Sequence, residues 1–384
     1  MTFFITTLLA ILGLIATDIF VPSLPSIGHQ FHLPLNYTQL TVSLFLIGFS
    51  VSQLFYGPIS DRTGRKGPLL FGAMLFTCGS LVCAFAPSFV ILCLGRILQG
   101  LAVGSGLSLA RVILRDCYSG AQLSVRTAQL GIFVSITPAA APFIGGLLQE
   151  FFGFRAVFLF LVCYGALLLY LLTFHFKETL KVPEKELNLR LICRHYKQLL
   201  TNFHFMHYVL ISGIAFSAII LYVNIVPFIV QDEMHLSAQT NGNILLFSAL
   251  GVALGCYITS RMVRSYPARK LLGIGLSLLI LTGILLITTR YFFGLSLFAL
   301  VPLIFLATLS CGLVFPNALA LAFSQINVNI GVAGAIYGCS QISFSTIINF
   351  VLNAIPNQGQ ILLGTFYCVL GICGIGLLNA YRQE

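Results

Sequence analysis

Two charged residues interrupt long apolar runs of this sequence, and their chemistry suits the movement of a proton. Asp18 lies in the run 2–24, and Arg96 lies in the run 88–113. A charge at the centre of a bilayer costs about 2.5–3.5 kcal/mol on insertion scales, so such residues face a cavity or a partner. A carboxyl group near a guanidinium can gain or lose a proton as its surroundings change. Asp18 and Arg96 are therefore predicted to couple proton movement to a ligand, and the alternative is a structural ion pair or hydrogen bond.

The positions of the two charges along their runs place them at similar depth. If both runs are helices that enter from opposite sides, Asp18 and Arg96 lie roughly 18–22 Å from the same edge of a ~30 Å apolar core. They are predicted either to pair directly or to compete for a proton and a ligand in one cavity. Polar side chains that are further candidates for this cavity are Gln99, Tyr222, Asn224 and Gln341. An amide or hydroxyl group can also be satisfied between helices without touching a ligand.

A dense charged turn joins the apolar runs 38–60 and 67–86. An acid at the end of the first run can meet the positive N-terminus of another helix, and the arginines can bridge to acidic or carbonyl groups. Such contacts would form in one conformation and break in another, which predicts a conformational latch. The alternative is a set of charges that only fixes topology. The residues assigned to the latch are Gly57, Asp61, Arg62, Gly64, Arg65 and Lys66.

The elements that must position these residues are apolar helices. The chain of 384 residues is 58% hydrophobic and only 8% charged, and many of its apolar runs reach 18 residues or more. Runs of this length indicate transmembrane helices. The sequence predicts an all-α membrane protein of twelve spans near 2–24, 38–60, 67–86, 88–113, 126–149, 155–176, 205–230, 240–263, 268–289, 292–322, 331–354 and 359–381.

Charge and internal similarity divide the chain into two halves. Most of the 20 Lys and Arg residues fall on one side if both termini are cytoplasmic, which the positive-inside rule favours. The polar stretch 177–204, with an amphipathic helix, separates a bundle at 1–176 from a bundle at 205–384. The segment 18–22 resembles 224–227 at an offset near 200 residues, as two parallel six-helix repeats with a pseudo-twofold relation would give.

The fifth predicted span carries prolines and glycines at regular positions. Each proline removes a backbone hydrogen bond, and each glycine allows the close approach of a neighbouring helix. A stiff, bent helix of this kind is a candidate hinge or leak seal, whereas general helix packing explains the same residues more simply. The residues concerned are Pro138, Pro142, Gly145 and Gly146.

Several classes of function find no support in the sequence. The eleven cysteines include no C-x-x-C pair, and the seven histidines form no ligand-spaced cluster, so we expect neither a disulfide framework nor a metal site. The basic residues lie at helix ends rather than in one patch, which argues against nucleic acid. Motifs for nucleotide binding or hydrolase chemistry are absent. We expect no cofactor and no enzymatic activity, and a chain that works as a monomer in the bilayer.

The motifs together resemble the drug–proton antiporter branch of the major facilitator superfamily, specifically the Bcr/CflA-type exporters of bacterial inner membranes. The resemblance covers nearly the whole chain. It implies proton-driven multidrug efflux of small amphipathic compounds, with the acid of the first span and the arginine of the fourth at the centre, and the fifth span as the antiporter helix. The segments that carry it are 17–25, 57–66, 96–100, 110–116, 142–146, 178–180, 227–231 and 316–318.

Alternatives to export remain open at this point. Phe154 stands where the family usually has Trp after the fifth span, and the motif of that span departs from the plain Gly-Pro form. A proton-coupled importer or facilitator of a small solute is therefore a second hypothesis, and a membrane receptor without transport is a third. The first span offers no second acid, so neutral or zwitterionic substrates suit the chain better than dications.

Overall fold

A computed structural model of the chain describes residues 1–180, 189–263, 265–326, 330–355 and 359–380. Regular structure within these ranges is entirely helical. The α-helices in chain order are α1 (Thr2–Asp18), α2 (Leu24–Phe31), α3 (Leu35–Thr38), α4 (Leu40–Thr63), α5 (Lys66–Ala84), α6 (Phe89–Cys117), α7 (Gly120–Phe152), α8 (Phe154–Phe174), α9 (Leu189–Leu200), α10 (Phe203–Phe228), α11 (Ala238–Met262), α12 (Ala268–Phe293), α13 (Leu297–Phe323), α14 (Ile330–Asn353) and α15 (Gln360–Ala380).

Twelve helical segments of the described chain are long and apolar enough to cross a membrane, which confirms the predicted number of spans. The observed bounds differ from the predicted ones by a few residues at most ends. The exception is the first span, which runs from Thr2 to Phe31 rather than ending near residue 24.

The first span is also interrupted. α1 ends at Asp18, and a 3-10 turn at Val21–Ser23 leads into α2. Pro22 lies in this turn, and a proline has no N–H to donate to a carbonyl one turn earlier. The predicted first span is confirmed as a span, but it is not one continuous α-helix, and Asp18 lies at the end of its first helical piece.

Contacts between helices divide the chain into two compact units, one of residues 1–33 and 37–192, the other of residues 34–36 and 193–384. In the first unit α6 packs against α1, α4 and α5, and α7 packs against α1. In the second unit α13 packs against α10, α11 and α12, and α14 packs against α10. Each unit thus forms its own helical bundle. The finer division at 177–204 stays a prediction.

The predicted amphipathic helix of the central stretch corresponds to α9. On the half of α9 whose side chains are described, Arg194 and Lys197 are exposed and Leu199 is buried. This pattern agrees with one basic and one apolar face. Residues 181–188, which lie in the same predicted linker, are outside the described part of the chain.

Backbone-to-backbone packing holds α4 and α6 together. A Cβ atom added to Gly100 would lie 2.2 Å from the carbonyl oxygen of Phe45, and one added to Gly48 would lie 2.8 Å from that of Ile97. Real Cβ atoms do not approach backbone so closely. Small residues on both helices therefore permit the short separation, as in other membrane bundles.

Replacement of Gly100 by alanine is expected to destabilise the first unit. The new methyl group meets backbone that cannot rotate away, and overpacking of this kind costs about 1–3 kcal/mol. The measurement is the thermal unfolding midpoint of the purified protein in detergent. Gly131→Ala is the control, because no atom lies within 4 Å of a Cβ atom built there. Equal midpoints for the two variants would contradict the close packing of α4 on α6.

Candidate functional site

Arg96 is the most deeply buried charge among the described residues. It lies on α6, its side chain is 0% exposed, and its guanidinium carbon is 3.9 Å from the ring centroid of Phe20 and 4.2 Å from that of Phe45. A guanidinium over an aromatic face is attracted by the ring quadrupole. The two rings hold the cation in place where no water surrounds it.

Hydrogen bonds from Arg96 go to backbone and amide oxygens. Nη1 donates to the carbonyl of Ala16 at 3.1 Å and to Oε1 of Gln99 at 2.8 Å, and Nε donates to the carbonyl of Thr41 at 3.4 Å. Nη2 is buried and has no hydrogen-bond partner in the described part of the chain. A buried cation with an unused donor is a place where an anionic or carbonyl group would be stabilised.

Gln99 fixes the orientation of Arg96. Its Oε1 accepts from Arg96, and its Nε2 donates to Oγ of Ser80 on α5 at 2.8 Å. Ser80 in turn donates to the carbonyl of Phe76 at 2.8 Å. The arginine is thus tied through its own helix to α5, and directly to α1 and α4. The sequence placed Gln99 in the cavity, whereas the structure gives it this supporting position.

Asp18 lies on the same helix as the Ala16 carbonyl that Arg96 contacts, yet Asp18 and Arg96 do not form an ion pair in this structure. Arg96 donates to the carbonyl of Ala16 in the last turn of α1 and stacks on Phe20, which follows the end of that helix. The ion pairs of the described residues include none between Asp18 and Arg96. Of the two predicted arrangements, direct pairing is not observed in this conformation, and competition for a proton and a ligand stays a prediction.

The predicted antiporter helix packs against the break that follows Asp18. A Cβ atom built on Gly145 of α7 would lie 1.7 Å from the carbonyl oxygen of Ile19, so only glycine fits there. Gly146 and Pro142 are buried, and Pro138 is partly buried, within a single helix from Gly120 to Phe152. The structure thus places this motif directly beside the proposed proton-coupling acid.

The charged turn forms an ion-pair network centred on Arg65, whose side chain is buried. Its guanidinium bonds to the carboxylate of Asp61, donates to Oγ of Ser60 at 2.7 Å, and pairs with Asp116 at the end of α6 at 3.0 Å. All of these partners belong to the first unit. These contacts join the turn to α6 within the first unit.

Glu178, which follows α8, caps the N-terminus of α5. Its carboxylate accepts the backbone N–H groups of Arg65 at 2.9 Å and Lys66 at 3.0 Å, while Lys66 Nζ donates to the carbonyl of Thr173 at 3.0 Å. A carboxylate at this end of a helix is favoured by the helix dipole. Gly64 has a φ of +89°, and a Cβ atom there would lie 2.6 Å from Oε2 of Glu178.

These contacts shift the acidity of Glu178. Burial raises the pKa of Glu178, but hydrogen bonds from four backbone N–H groups outweigh burial and hold the pKa below its ordinary value of 4.5. The same surroundings affect Arg65: burial lowers its pKa, but the hydrogen bonds and charges of Asp61 and Asp116 raise it overall. Both groups therefore stay ionised at neutral pH.

The network around Arg65 includes Asp116 and Glu178, which are not among the predicted latch residues, whereas two of the predicted residues make no described contact in it; the latch role itself stays a prediction. Arg62 is exposed, and a Cβ atom on Gly57 would meet nothing within 4 Å. The two added acids appeared in the sequence only as parts of the family resemblance. Their signal was available, since each lies at the end of an apolar run on the same predicted side as the turn.

The remaining cavity candidates lie in the second unit and bond between helices. Oη of Tyr222 is 3.0 Å from Oγ of Ser248, Asn224 Nδ2 donates to Oδ1 of Asn349 at 2.8 Å, and Gln341 Nε2 donates to Oγ of Ser212 at 2.9 Å. These contacts correspond to the structural alternative for such groups. A role in binding for these residues stays a prediction.

The cap made by Glu178 is expected to depend on pH. Because its folded pKa lies below 4.5, the stabilisation is complete above that value and is lost as pH falls through the folded pKa. In Glu178→Gln the neutral amide cannot replace the charge, so the Arg65 and Lys66 amides should exchange with deuterium about tenfold faster at pH 7.

The measurement is hydrogen exchange of the turn in the purified protein, corrected for intrinsic rates, from pH 7 to pH 3.5. Glu150→Gln, at the other end of the spans, serves as a control that should leave these amides unchanged. Equal protection in Glu178→Gln and in the unmodified chain would show that the cap contributes nothing.

Comparison with known proteins gives consistent results along the chain. The family model described as Major Facilitator Superfamily matches residues 6–348. An uncharacterized MFS-type transporter, YdgK of Bacillus subtilis strain 168, is 30% identical over 97% of this chain and 92% of its own length. Multidrug resistance protein D of Escherichia coli strain K12 is 27% identical over 95% of this chain and 91% of its own.

Solved structures agree on the fold. A D-xylose–proton symporter is similar with a TM-score of 0.76 at 16% identity, over 98% of this chain and 96% of that one. The peptide transporter POT is similar with a TM-score of 0.79 at 13% identity, over 98% of this chain and 93% of that one. Identities this low show the fold alone. With the family model, the B. subtilis relative and twelve spans in agreement, the chain belongs to the Major Facilitator Superfamily of membrane transporters.

Proposed function

We propose that this chain exports small amphipathic compounds, drug-like or metabolic, in exchange for protons by alternating access in a bacterial inner membrane. The observation that carries the proposal is the buried Arg96, which is held by aromatic rings and backbone carbonyls beside the helix that ends in Asp18. No bond of the substrate is made or broken, so the chain is not an enzyme. It acts as a monomer on a small-molecule substrate and protons.

The absence of an Asp18–Arg96 ion pair in this conformation supports exchange between states. A permanently paired carboxylate would be too stable to take up a proton, whereas Asp18 here lies half-buried at a helix end. A proton arriving from outside neutralises Asp18 and favours release of the ligand. Its loss toward the cytoplasm restores the charge and readies the site for another ligand.

The energy of one proton is sufficient for uphill export. Each elementary charge that moves across 100 mV supplies about 2.3 kcal/mol. This free energy corresponds to a concentration ratio of roughly fiftyfold for a neutral ligand. One titratable acid in the first unit is therefore enough for the proposed exchange.

The names of relatives support export over the alternatives. Multidrug resistance protein D and the MdtL proteins, at 24–27% identity over most of this chain, are named for multidrug resistance, which a membrane transporter confers by moving compounds out of the cell. A proton-coupled importer is the second candidate. The direction of substrate flux in vesicles of known orientation separates the two.

The turn at 57–66 serves in this proposal as a conformational latch. Its ion pair with Asp116 and its hydrogen bonds with Glu178 and Thr173 join α5 to α6 and to the end of α8, so the first unit can move as one body. Breaking or forming contacts at this surface would then accompany each change of state. The basic residues of the turn support a cytoplasmic position for it and for both termini.

Substitution of Asp18 by asparagine is expected to abolish uphill export and ligand-induced proton release. Asparagine is close in size and mimics the protonated acid, so the fold and residual binding should survive. The measurement is proton release and transport by purified protein in liposomes across a panel of amphipathic compounds. Asp232→Asn makes the same chemical change on an exposed residue of the second unit and should leave both activities intact.

Loss of the arginine should be as damaging as loss of the acid. Arg96→Ala removes the cation that links α1, α4 and α6, and it leaves the Gln99 carbonyl without its donor. Uphill export by Asp18→Asn with a normal pH dependence would overturn the coupling role proposed for Asp18.

The orientation is testable with single cysteines in a cysteine-free background. Thr63→Cys lies on the exposed end of α4, and Phe293→Cys lies at the opposite end of its span, where the native side chain is 79% exposed. Thr63→Cys should react with an impermeant maleimide only in inverted vesicles, and Phe293→Cys only in intact cells. The reverse pattern would place the termini outside.

A further inference from the structure

A row of polar side chains runs along α14 at intervals of four residues. Residues four apart lie on one face of a helix, so these groups form a single stripe. Neither α14 nor the facing α10 contains an Asp, Glu, Lys or Arg residue. The stripe is therefore polar but uncharged. Its members are Tyr337, Gln341, Ser345, Asn349 and Asn353.

Three members of the stripe form side-chain hydrogen bonds to side chains of α10. Tyr337 Oη donates to Oγ of Ser212 at 2.6 Å, and Gln341 Nε2 donates to the same oxygen at 2.9 Å. Further along, Asn349 Oδ1 accepts from Nδ2 of Asn224 at 2.8 Å. These groups form what we call the polar seam between α10 and α14.

Ser345 lies in the middle of the seam, between Gln341 and Asn349. It is only 1% exposed, and its Oγ has no hydrogen-bond partner in the described part of the chain. A buried polar group without a partner costs free energy, so native proteins retain few of them. At this position the seam offers a hydroxyl group whose hydrogen bond a ligand could supply.

The seam differs from the matching contact in the first unit. There, α7 meets the end of α1 through backbone, with a Cβ atom on Gly145 placed 1.7 Å from the Ile19 carbonyl. On α14, a Cβ atom at Gly334 would meet nothing within 4 Å outside its own helix, and the three atoms nearest to a Cβ atom on Gly213 of α10 all belong to the side chain of Phe344. Side-chain hydrogen bonds can be exchanged for a ligand, whereas packed backbone cannot.

Exposure of the seam increases toward one end. Tyr337 and Gln341 are half-buried, whereas Ser345 and Asn349 are buried. A ligand that replaced the Gln341 contact would therefore meet the unpartnered hydroxyl of Ser345 next, and the Asn349 amide after it. Such a series of neutral donors and acceptors matches an uncharged group with both kinds of atom.

We infer that the polar seam binds an uncharged hydrogen-bonding group of the transported compound, such as a carboxamide, through Ser212, Asn224, Gln341 and Asn349 together with Ser345, which lies between them. The inference rests on the proposed function and specifies the class of substrate. A site whose buried polar groups hydrogen-bond a substrate rejects the analogue that leaves them unpaired. The seam thus determines specificity, whereas Asp18 and Arg96 couple the proton.

The experiment compares aryl carboxamides with their isopropenyl analogues, which have the same shape and lack both polar atoms. Purified protein in liposomes is assayed for compound-induced proton release and for uphill transport of each pair. The unmodified chain should prefer the carboxamide. Ser345→Ala and Asn349→Leu should each reduce that preference about fivefold, the factor given by one neutral hydrogen bond.

Thr346→Val is the matched control. Thr346 lies on α14 and is buried, but its hydroxyl donates to the carbonyl of Ile342 within its own helix at 2.8 Å. The preference of Thr346→Val for the carboxamide over the isopropenyl analogue should equal that of the unmodified chain. If Asn349→Leu does not give a monodisperse protein, Ser345→Ala decides the question, because it removes a hydroxyl that has no partner to lose.

The outcomes separate the two proposals. Transport of the panel with an unchanged carboxamide preference in folded Ser345→Ala and Asn349→Leu would show that the seam is structural only. Transport by the unmodified chain without any preference would overturn the inference in the same way. Failure of the unmodified chain to move any panel compound would overturn the proposed export itself, and the inference with it.

Discussion

The burial of one guanidinium is the constraint on which the first unit depends. Arg96 is fully buried without a carboxylate, so its charge is stabilised by aromatic faces and by carbonyl oxygens that other helices must supply. Those oxygens come from α1 and α4, and the orientation of the side chain comes from Gln99 and α5. Glycines on α4 and α6 bring the backbones close enough for these bonds. The close packing of α1, α4, α5 and α6 and the stabilisation of the buried charge of Arg96 therefore depend on each other.

The two units stabilise related contacts by different interactions. In the first, α7 presents glycine to the backbone of Ile19, so the segment after Asp18 is packed without space for adjustment. In the second, α14 meets α10 through neutral side chains whose hydrogen bonds can be exchanged. Interhelical hydrogen bonds in membranes contribute about 0.6 kcal/mol each on average, so breaking one is inexpensive. The contact that follows Asp18 is therefore rigid, whereas the contact between α10 and α14 is adaptable.

The charged turn shows how a membrane protein stabilises a helix end at the surface of the bilayer. The free N–H groups at the start of α5 need acceptors, and Glu178 supplies a carboxylate from more than a hundred residues away in sequence. Arg65 joins the same surface to Asp61 and Asp116. Helices that are far apart in the chain are therefore coupled by charge at one end, which is what a latch that responds to conformation requires.

The sequence by itself determined the number of spans and the positions where charges interrupt or flank them, because hydropathy and the cost of a buried charge are local properties. Asp18, Arg96 and the turn at 57–66 could all be identified in this way. Only the tertiary structure decided their partners: Arg96 meets the Ala16 carbonyl instead of Asp18, Glu178 caps α5, and Gln341 bonds to Ser212. Hydrogen bonds have direction, and the break after Asp18 together with the rotation of each helix about its axis sets that direction. The position of the break and the rotation of each helix cannot be read from the order of residues along one helix, since both depend on how neighbouring helices pack.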